Sequence, residues 1–285
     1  MTLLLAVAAG VLIGLSLGAL GGGGSILAVP VLVYALGQSP AQATTGSLVV
    51  VGVTSLVSAA AAYRAGNVLL ARGVTFGAVA IGGAAGGAML SAHVSEPVLL
   101  ASFALLMLVV GGLMAVRQVR SRTRSRVLVG GGTDHGDQDS ARRVLLDDPI
   151  VTFSPTFACQ CPRALKVLIT ATVVGLLTGF LGVGGGFLVV PALVLALSLP
   201  MQYAAGTSLV VITMTSAAAL VVRAGSGSTP DWGVVLALTL ASTVGGLAGA
   251  RVAARTNTAR LSAAFTVLVV GVAVYTAARA LPALF

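Results

Sequence analysis

Two glycine clusters are the residues of this chain best suited to chemistry. Gly22, Gly23 and Gly24 lie in LGALGGGGSILAVPVLVYAL (Leu17 to Leu36), and Gly184, Gly185 and Gly186 lie in TGFLGVGGGFLVVPALVLAL (Thr178 to Leu197). Each cluster interrupts a long apolar run and is followed by a proline, Pro30 or Pro191. Interrupting a helix leaves the N–H groups of the next turn without intrahelical partners, at the positive end of its dipole. Such an end binds anions through backbone donors, and glycine lets a ligand approach the backbone closely. Each proline deletes one further helix hydrogen bond. In a membrane, non-helical backbone is tolerated only inside protein or along a polar cavity. Two breaks in corresponding positions of two halves therefore point to a transporter's binding site. The competing reading is close packing of helices through glycine. That reading is preferred for Gly82, Gly83, Gly86, Gly87 and the Gly245–Gly249 stretch.

Neutral donors accompany both clusters. Thr44, Thr45 and Ser47, with Thr207 and Ser208 in the second half, fall where the next helix begins. Their hydroxyls either cap that helix or donate to a substrate oxygen. As two matched groups they suit a tetrahedral or pyramidal oxyanion, and neutral donors let the anion leave again. Arg64 and Arg223 form a repeated basic pair, with Asn67 beside the first. Each arginine either draws an anion to a cavity mouth or snorkels to lipid headgroups; both arginines and Asn67 are secondary candidates.

Other chemistries lack their residues. There is no H-E-x-x-H and no carboxylate pair in an apolar run, so no enzyme is expected and no catalytic residue is assigned. Cys159 and Cys161 form an isolated C-x-C with His135 the one histidine in the same loop, so neither a metal nor a cofactor is expected. Glu96, Asp231 and five linker aspartates all fall at ends or in loops, which leaves no mid-membrane carboxylate for ion coupling. His93, near a helix end, is no relay by itself.

These groups need elements to hold them, and composition says which. Of 285 residues 57% are hydrophobic and 8% charged, which excludes an ordinary soluble domain. Apolar stretches of about the 20 residues needed to cross a bilayer lie at Thr2–Leu20, Ala43–Ala62, Val74–Ala92, Val98–Val116, Val167–Leu181, Ala204–Val222, Gly233–Ala250 and Leu261–Ala278. Shorter runs, Ile26–Leu36 and Phe187–Leu199, follow the breaks. The N-terminus lacks a basic leader region, and its apolar run continues into the first break, so it reads as a retained membrane segment. The net charge is +9, and its largest basic cluster, Arg117 to Arg126, lies in one loop beside a helix end, where basic residues set topology and meet anionic lipid rather than nucleic acid.

Internal repetition organises the rest. With Pro30 aligned to Pro191, QATTGSLVVV answers QYAAGTSLVVI, Arg64-Ala65-Gly66 answers Arg223-Ala224-Gly225, and Gly87-Ala88 answers Gly249-Ala250. The expected fold is all-α: a polytopic integral membrane protein of about eight transmembrane helices. It comprises two homologous four-helix repeats with glycine-broken or re-entrant first segments. Residues 1–117 form the first repeat, 118–162 a polar cytoplasmic linker, and 163–285 the second repeat. If each broken segment is a hairpin the repeats are inverted, and Lys+Arg divide 14 to 2 in favour of the linker side, with only Arg223 and Arg279 opposite. A single kinked helix gives parallel repeats with Arg251, Arg255 and Arg260 outside, a poorer match to the positive-inside rule. Inversion is favoured.

The doubled motif also carries a resemblance. G-x-G-G-G, an apolar run with proline, a Thr/Ser-rich helix start and R-A-G-N or a similar sequence, all twice over, resemble the TauE/SafE family, also called the toluene sulfonate uptake permease group. The match spans about Leu3 to Arg279 outside the linker. It departs at Gly22, where the other half has Val183, and in the length of its linker. The resemblance implies a multi-pass inner (cytoplasmic) membrane transporter, an exporter of sulfite, sulfonates or related small anions; the expected partners are a small anionic substrate and the lipid bilayer, with a homo-oligomer left open. A passive anion channel and an uptake permease for organic anions are the alternatives.

Overall fold

In the computed structural model, the described residues are 2–91, 93–95, 161–182, 186–196, 199–224 and 230–256, with parts of 98–112 and 263–275. All regular elements among them are helices. In chain order these are α1 (Thr2–Leu20), α2 (Ser25–Pro30, continued by a π-turn, Val31–Ala35), α3 (Pro40–Arg64), α4 (Leu70–Ser91), α5 (Cys161–Leu181), α6 (Gly186–Ala196), α7 (Met201–Arg223) and α8 (Trp232–Arg255).

Local chemistry explains several boundaries. Ser39 caps α3 in a reciprocal pair with Gln42, at 3.3 and 3.4 Å, and Pro40 fills the first turn where no N–H is needed. Asp231 accepts from the Gly233 and Val234 amides at 3.0 and 3.4 Å and starts α8. Pro30 ends the α-helical hydrogen bonding of α2, and the chain widens into the π-turn immediately after it.

Among the described residues, four helices are long and apolar enough to cross a bilayer: Pro40–Arg64, Leu70–Ser91, Tyr203–Arg223 and Trp232–Ala253. Leu4–Leu20, Ser25–Ala35 and Leu165–Leu181 are apolar but shorter. The remaining two expected stretches, around 98–116 and 261–278, lie largely outside the described residues. Large apolar side chains such as Leu12, Leu56, Met89, Leu240 and Val244 are exposed, while Ile13, Leu17, Leu48, Phe76, Leu209 and Ile212 are buried. An exposed apolar surface of this kind suits a lipid solvent.

The first helix of each half packs along the last described long helix of the other: α1 on α8, and α5 on α4. Glycine makes both contacts. Gly14 meets the Ser242 backbone and Gly18 that of Gly246 and Ala250; Gly83 meets Thr172 and Gly87 meets Leu176. Residue numbers rise together across each pair, so both pairs are parallel. Inside them, α3 crosses α7 with Gly52 at Ser216 and Thr44 at Arg223, an antiparallel arrangement. The α3/α8 pair (Gly46 at Val235, Thr54 at Ser242) and the α4/α7 pair (Gly73 at Thr207, Gly77 at Met214) are again parallel. The packing role expected of Gly83, Gly87, Gly245, Gly246 and Gly249 is what these contacts display. Gly82 and Gly86 differ: among the described residues, a Cβ at either meets nothing within 4 Å.

Candidate functional site

Gly21 and Gly182 begin the two breaks with φ of +76° and +64°, a left-handed turn that glycine adopts without strain. The turn folds the chain back on itself, and Gly24 already packs beside Ile13 and Leu17 of α1. Each break then lodges against the other half. A side chain on Gly21 would strike Ala205 in the first turns of α7, and one on Gly182 would strike Thr44 in the first turns of α3. The breaks also touch one another, because Gly22 lies on the Gly186 backbone and Gly186 beside Ser25. Local turns use the amides of Gly22, Ser25 and Leu27, which donate to Leu20, Gly22 and Gly24 carbonyls at 3.0, 3.2 and 3.1 Å. Gly184 and Gly185 lie outside the described residues.

Of the expected hydroxyls, those of Thr44 and Ser47 sit beside the opposite half's break at Gly182, and none of them is the α3 cap, which is Ser39. Ser47 is fully buried, and its hydroxyl lies between the carbonyls of Thr44 and Gly182. Ser208, its repeat counterpart, donates to Ala205 at 2.7 Å. Thr44 and Thr45 donate to Ala41 at 2.9 and 3.1 Å, and Thr207 accepts from the Leu69 amide at 3.1 Å. Ser47 thus ties the second break to α3.

The two arginines have different surroundings. Arg64 is exposed and lines a cleft of about 490 Å³ with Asn67, Arg251, Gly18, Ala19 and Ala205. Arg223 is part-buried and donates to Thr44 Oγ1 at 3.2 Å, Ser91 Oγ at 2.7 Å and the Gly179 carbonyl at 3.2 Å.

The chain is similar in sequence to known proteins. A family model described as sulfite exporter TauE/SafE matches residues 6–276. The chain belongs to that family. It is also similar to a "Probable membrane transporter protein" of Xylella fastidiosa strain 9a5c, 30% identical over 277 residues, covering 96% of this chain and 94% of the relative. The protein of the same description from strain Temecula1 / ATCC 700964 matches to the same extent. No solved structure matches the chain. Membership of the TauE/SafE family makes this a membrane protein of transport type, and the names of family and relatives describe transport rather than catalysis.

Three groups within this family member escaped the sequence reading. Arg251 joins Arg64 in the cleft through the fold alone, from a different half. Ser55 and Ser216, 0% and 1% exposed in the middle of α3 and α7, have hydroxyls with no hydrogen-bond partner among the described atoms. Ser58, also on α3, shares that state. A signal was present: Thr54-Ser55 and Thr215-Ser216 occupy matching places in the two repeats, in the middle of apolar helices.

Proposed function

We propose that the chain carries sulfite, sulfonates or related small anions across the cytoplasmic membrane, outward from the cell, as a secondary transporter built from two inverted repeats of four segments. The glycine breaks and their hydroxyls (Gly22, Gly23, Gly24, Thr44, Thr45, Ser47, Gly184, Gly185, Gly186, Thr207 and Ser208) form its substrate site in this reading. Arg64, Asn67 and Arg223 serve at the approaches. No catalytic step is involved.

The observation that carries this reading is the meeting of the two breaks, Gly22 on Gly186, each braced by the opposite repeat's helix start. Interrupted helices that face one another across a repeat interface are the usual seat of a transported ion or substrate. Support for inversion comes from direction. α3 runs against its counterpart α7, while α1 and α5 run parallel to helices, α8 and α4, that themselves belong to opposite halves. The 14-to-2 division of basic residues agrees with that arrangement. The family's printed description supports sulfite and export. Neutral hydroxyls beside arginines suit a small oxyanion that must be released as well as bound.

The test is sulfite flux in proteoliposomes against a panel of unlabelled competitors: sulfate, thiosulfate, taurine-like sulfonates and carboxylates. Competition by sulfite and sulfonates, with overshoot under an imposed gradient, is expected. Flux that merely follows the gradient would replace the carrier with a channel, and absence of flux for every anion would remove the transport reading.

A further inference from the structure

The two ends of the α3/α7 pair are repeat counterparts, yet one is open and the other is tied shut. At the open end the cleft is lined by Gly18 and Ala19 at the close of α1, Ala205 at the start of α7, and Ala253 on α8. Their counterparts at the opposite end are Gly179, Phe180, Thr44 and Ser91. Every one of these four accepts a hydrogen bond from Arg223: Thr44 and Ser91 through their hydroxyls at 3.2 and 2.7 Å, Gly179 and Phe180 through carbonyls at 3.2 and 3.5 Å. One guanidinium therefore joins α7 to α3, α4 and α5. A planar fork with five donors is suited to holding several acceptors at once.

The open end has the arginine without the means to tie it. Where Thr44 and Ser91 supply hydroxyls, the cleft has Ala205 and Ala253. Arg64 also follows Ser55 by nine residues, whereas Arg223 follows Ser216 by seven. Two extra helical residues turn a side chain about 200° and lift it about 3 Å, so Arg64 leaves the latching position and faces the cleft. Arg251 faces the same space, and no acidic side chain is among the described lining residues. Two cations around a partly apolar cavity raise the local concentration of anions. Burial follows the same contrast: Ala88 is 2% exposed at the latched end, while its counterpart Ala250 is partly exposed in the cleft.

We propose that the cleft is the open mouth through which a small anion enters, drawn by Arg64 and Arg251, and that Arg223 is a latch that holds the equivalent mouth closed. The proposal rests on the transport reading and specifies its gate: access passes to the other side when the bonds from Arg223 to Thr44, Ser91 and the α5 carbonyls break. Arg251 becomes part of the anion's path, and Ser91 and Thr44 become latch partners rather than substrate ligands in this state.

The experiment compares the two mouths with a membrane-impermeant thiol reagent in a chain whose Cys159 and Cys161 are replaced by serine. Ala250→Cys should react at least tenfold faster than Ala88→Cys. Adding Arg223→Gln should raise labelling of Ala88→Cys and lower that of Ala250→Cys, changing their ratio at least tenfold. Ser91→Ala, which removes one partner and no charge, should move the ratio the same way by a smaller factor and guards against a misfolded arginine variant. An unchanged ratio in monodisperse protein of both variants would overturn the latch. A rise at Ala88→Cys with no fall at Ala250→Cys would overturn alternation between the mouths. Sulfite, or whichever anion the flux assay identifies, should protect Ala250→Cys, and Arg64→Gln or Arg251→Gln should raise the half-protecting concentration at least fivefold. Protection unaffected by either substitution would overturn the anion's path. The labelling ratio needs no substrate, so its outcome is separable from that of the flux assay.

Discussion

The outer helix pairs and the central pair are built from the same small residues to opposite ends. In α1/α8 and α4/α5 the small residues are glycines set against backbone: Gly14 on Ser242, Gly18 on Gly246, Gly175 on Ala80, Gly179 on Ala84. In the central α3/α7 pair they are hydroxyls, with Thr54, Ser55, Ser58, Thr215 and Ser216 all buried. Thr54 meets Ser242 of α8 at 2.7 Å and Thr215 donates to Val211 at 3.0 Å, but Ser55, Ser58 and Ser216 have no partner among the described atoms. Helices in lipid gain little from burying apolar surface, so contact area between backbones is what holds them together. Unpaired hydroxyls work against that end, because each costs about 1–3 kcal/mol when buried. The outer pairs therefore read as frame and the inner pair as path.

The largest effect should come from the frame. Gly175→Leu places a branched side chain into the Ala80 backbone, and Gly18→Leu does the same at Gly246. Overpacking of this kind costs about 1–3 kcal/mol where neighbours can shift, and main chain shifts less readily than side chains. Both variants should lose most of their monodisperse yield in detergent. Normal yield with normal flux would show that these glycines are not needed for packing and would break the comparison at its first term.

The breaks come next. Gly22→Val gives the first break the residue that the second has in Val183, but in the first break it would strike the Gly186 backbone. Flux should fall at least tenfold, with a smaller loss of thermal stability than Gly175→Leu. Equal losses of stability would make the breaks part of the frame.

The inner pair should separate stability from transport. Ser55→Ala and Ser216→Ala each remove a hydroxyl with no partner among the described atoms, so the folded state should be as stable as before or more so, by up to about 1 kcal/mol. Flux should nonetheless fall severalfold, because a passing anion loses a donor. Unchanged flux in both variants over a full substrate titration would assign these serines to packing and leave the path to the breaks alone.

How far the sequence could be read follows the same division. Helix positions were legible because lipid demands long apolar runs, and the observed helices begin within about four residues of most expected stretches. The breaks were legible because glycine followed by proline inside such a run has few other uses. What lay against the breaks was not legible. Gly21 meets Ala205 and Gly182 meets Thr44, contacts across about 140 to 180 residues that no local spacing encodes. The hydroxyls of Thr44 and Ser47 looked like caps or ligands, whereas Ser39 caps the helix and Ser47 bonds to Gly182. Arg64 and Arg223 looked alike in their repeated Arg-Ala-Gly, and only the fold shows that one faces a cleft and the other bonds to Thr44 and Ser91. Repetition specifies which residues correspond, not which of two arrangements each copy adopts.

The smallest effect should come from glycines that pack against nothing among the described residues. Gly82 and Gly86 lie one residue before Gly83 and Gly87, on the same helix and in the same small-residue run, yet a Cβ on either enters open space. If glycine is present in α4 for close contact, only Gly83 and Gly87 need it, since Gly83 faces Thr172 and Gly87 faces Leu176. Alanine in a helix interior is favoured over glycine by about 0.5–1 kcal/mol because the unfolded chain has less freedom to lose. Gly82→Ala and Gly86→Ala should thus leave flux unchanged and raise the thermal midpoint slightly, whereas Gly83→Ala and Gly87→Ala should lower it. The comparison uses one helix, one substitution and one assay, so propensity, lipid and expression are held constant and only the facing partner differs. A fall in stability for Gly82→Ala or Gly86→Ala as large as that for Gly87→Ala would mean that a further surface covers that face, and the frame would extend beyond the pairs described.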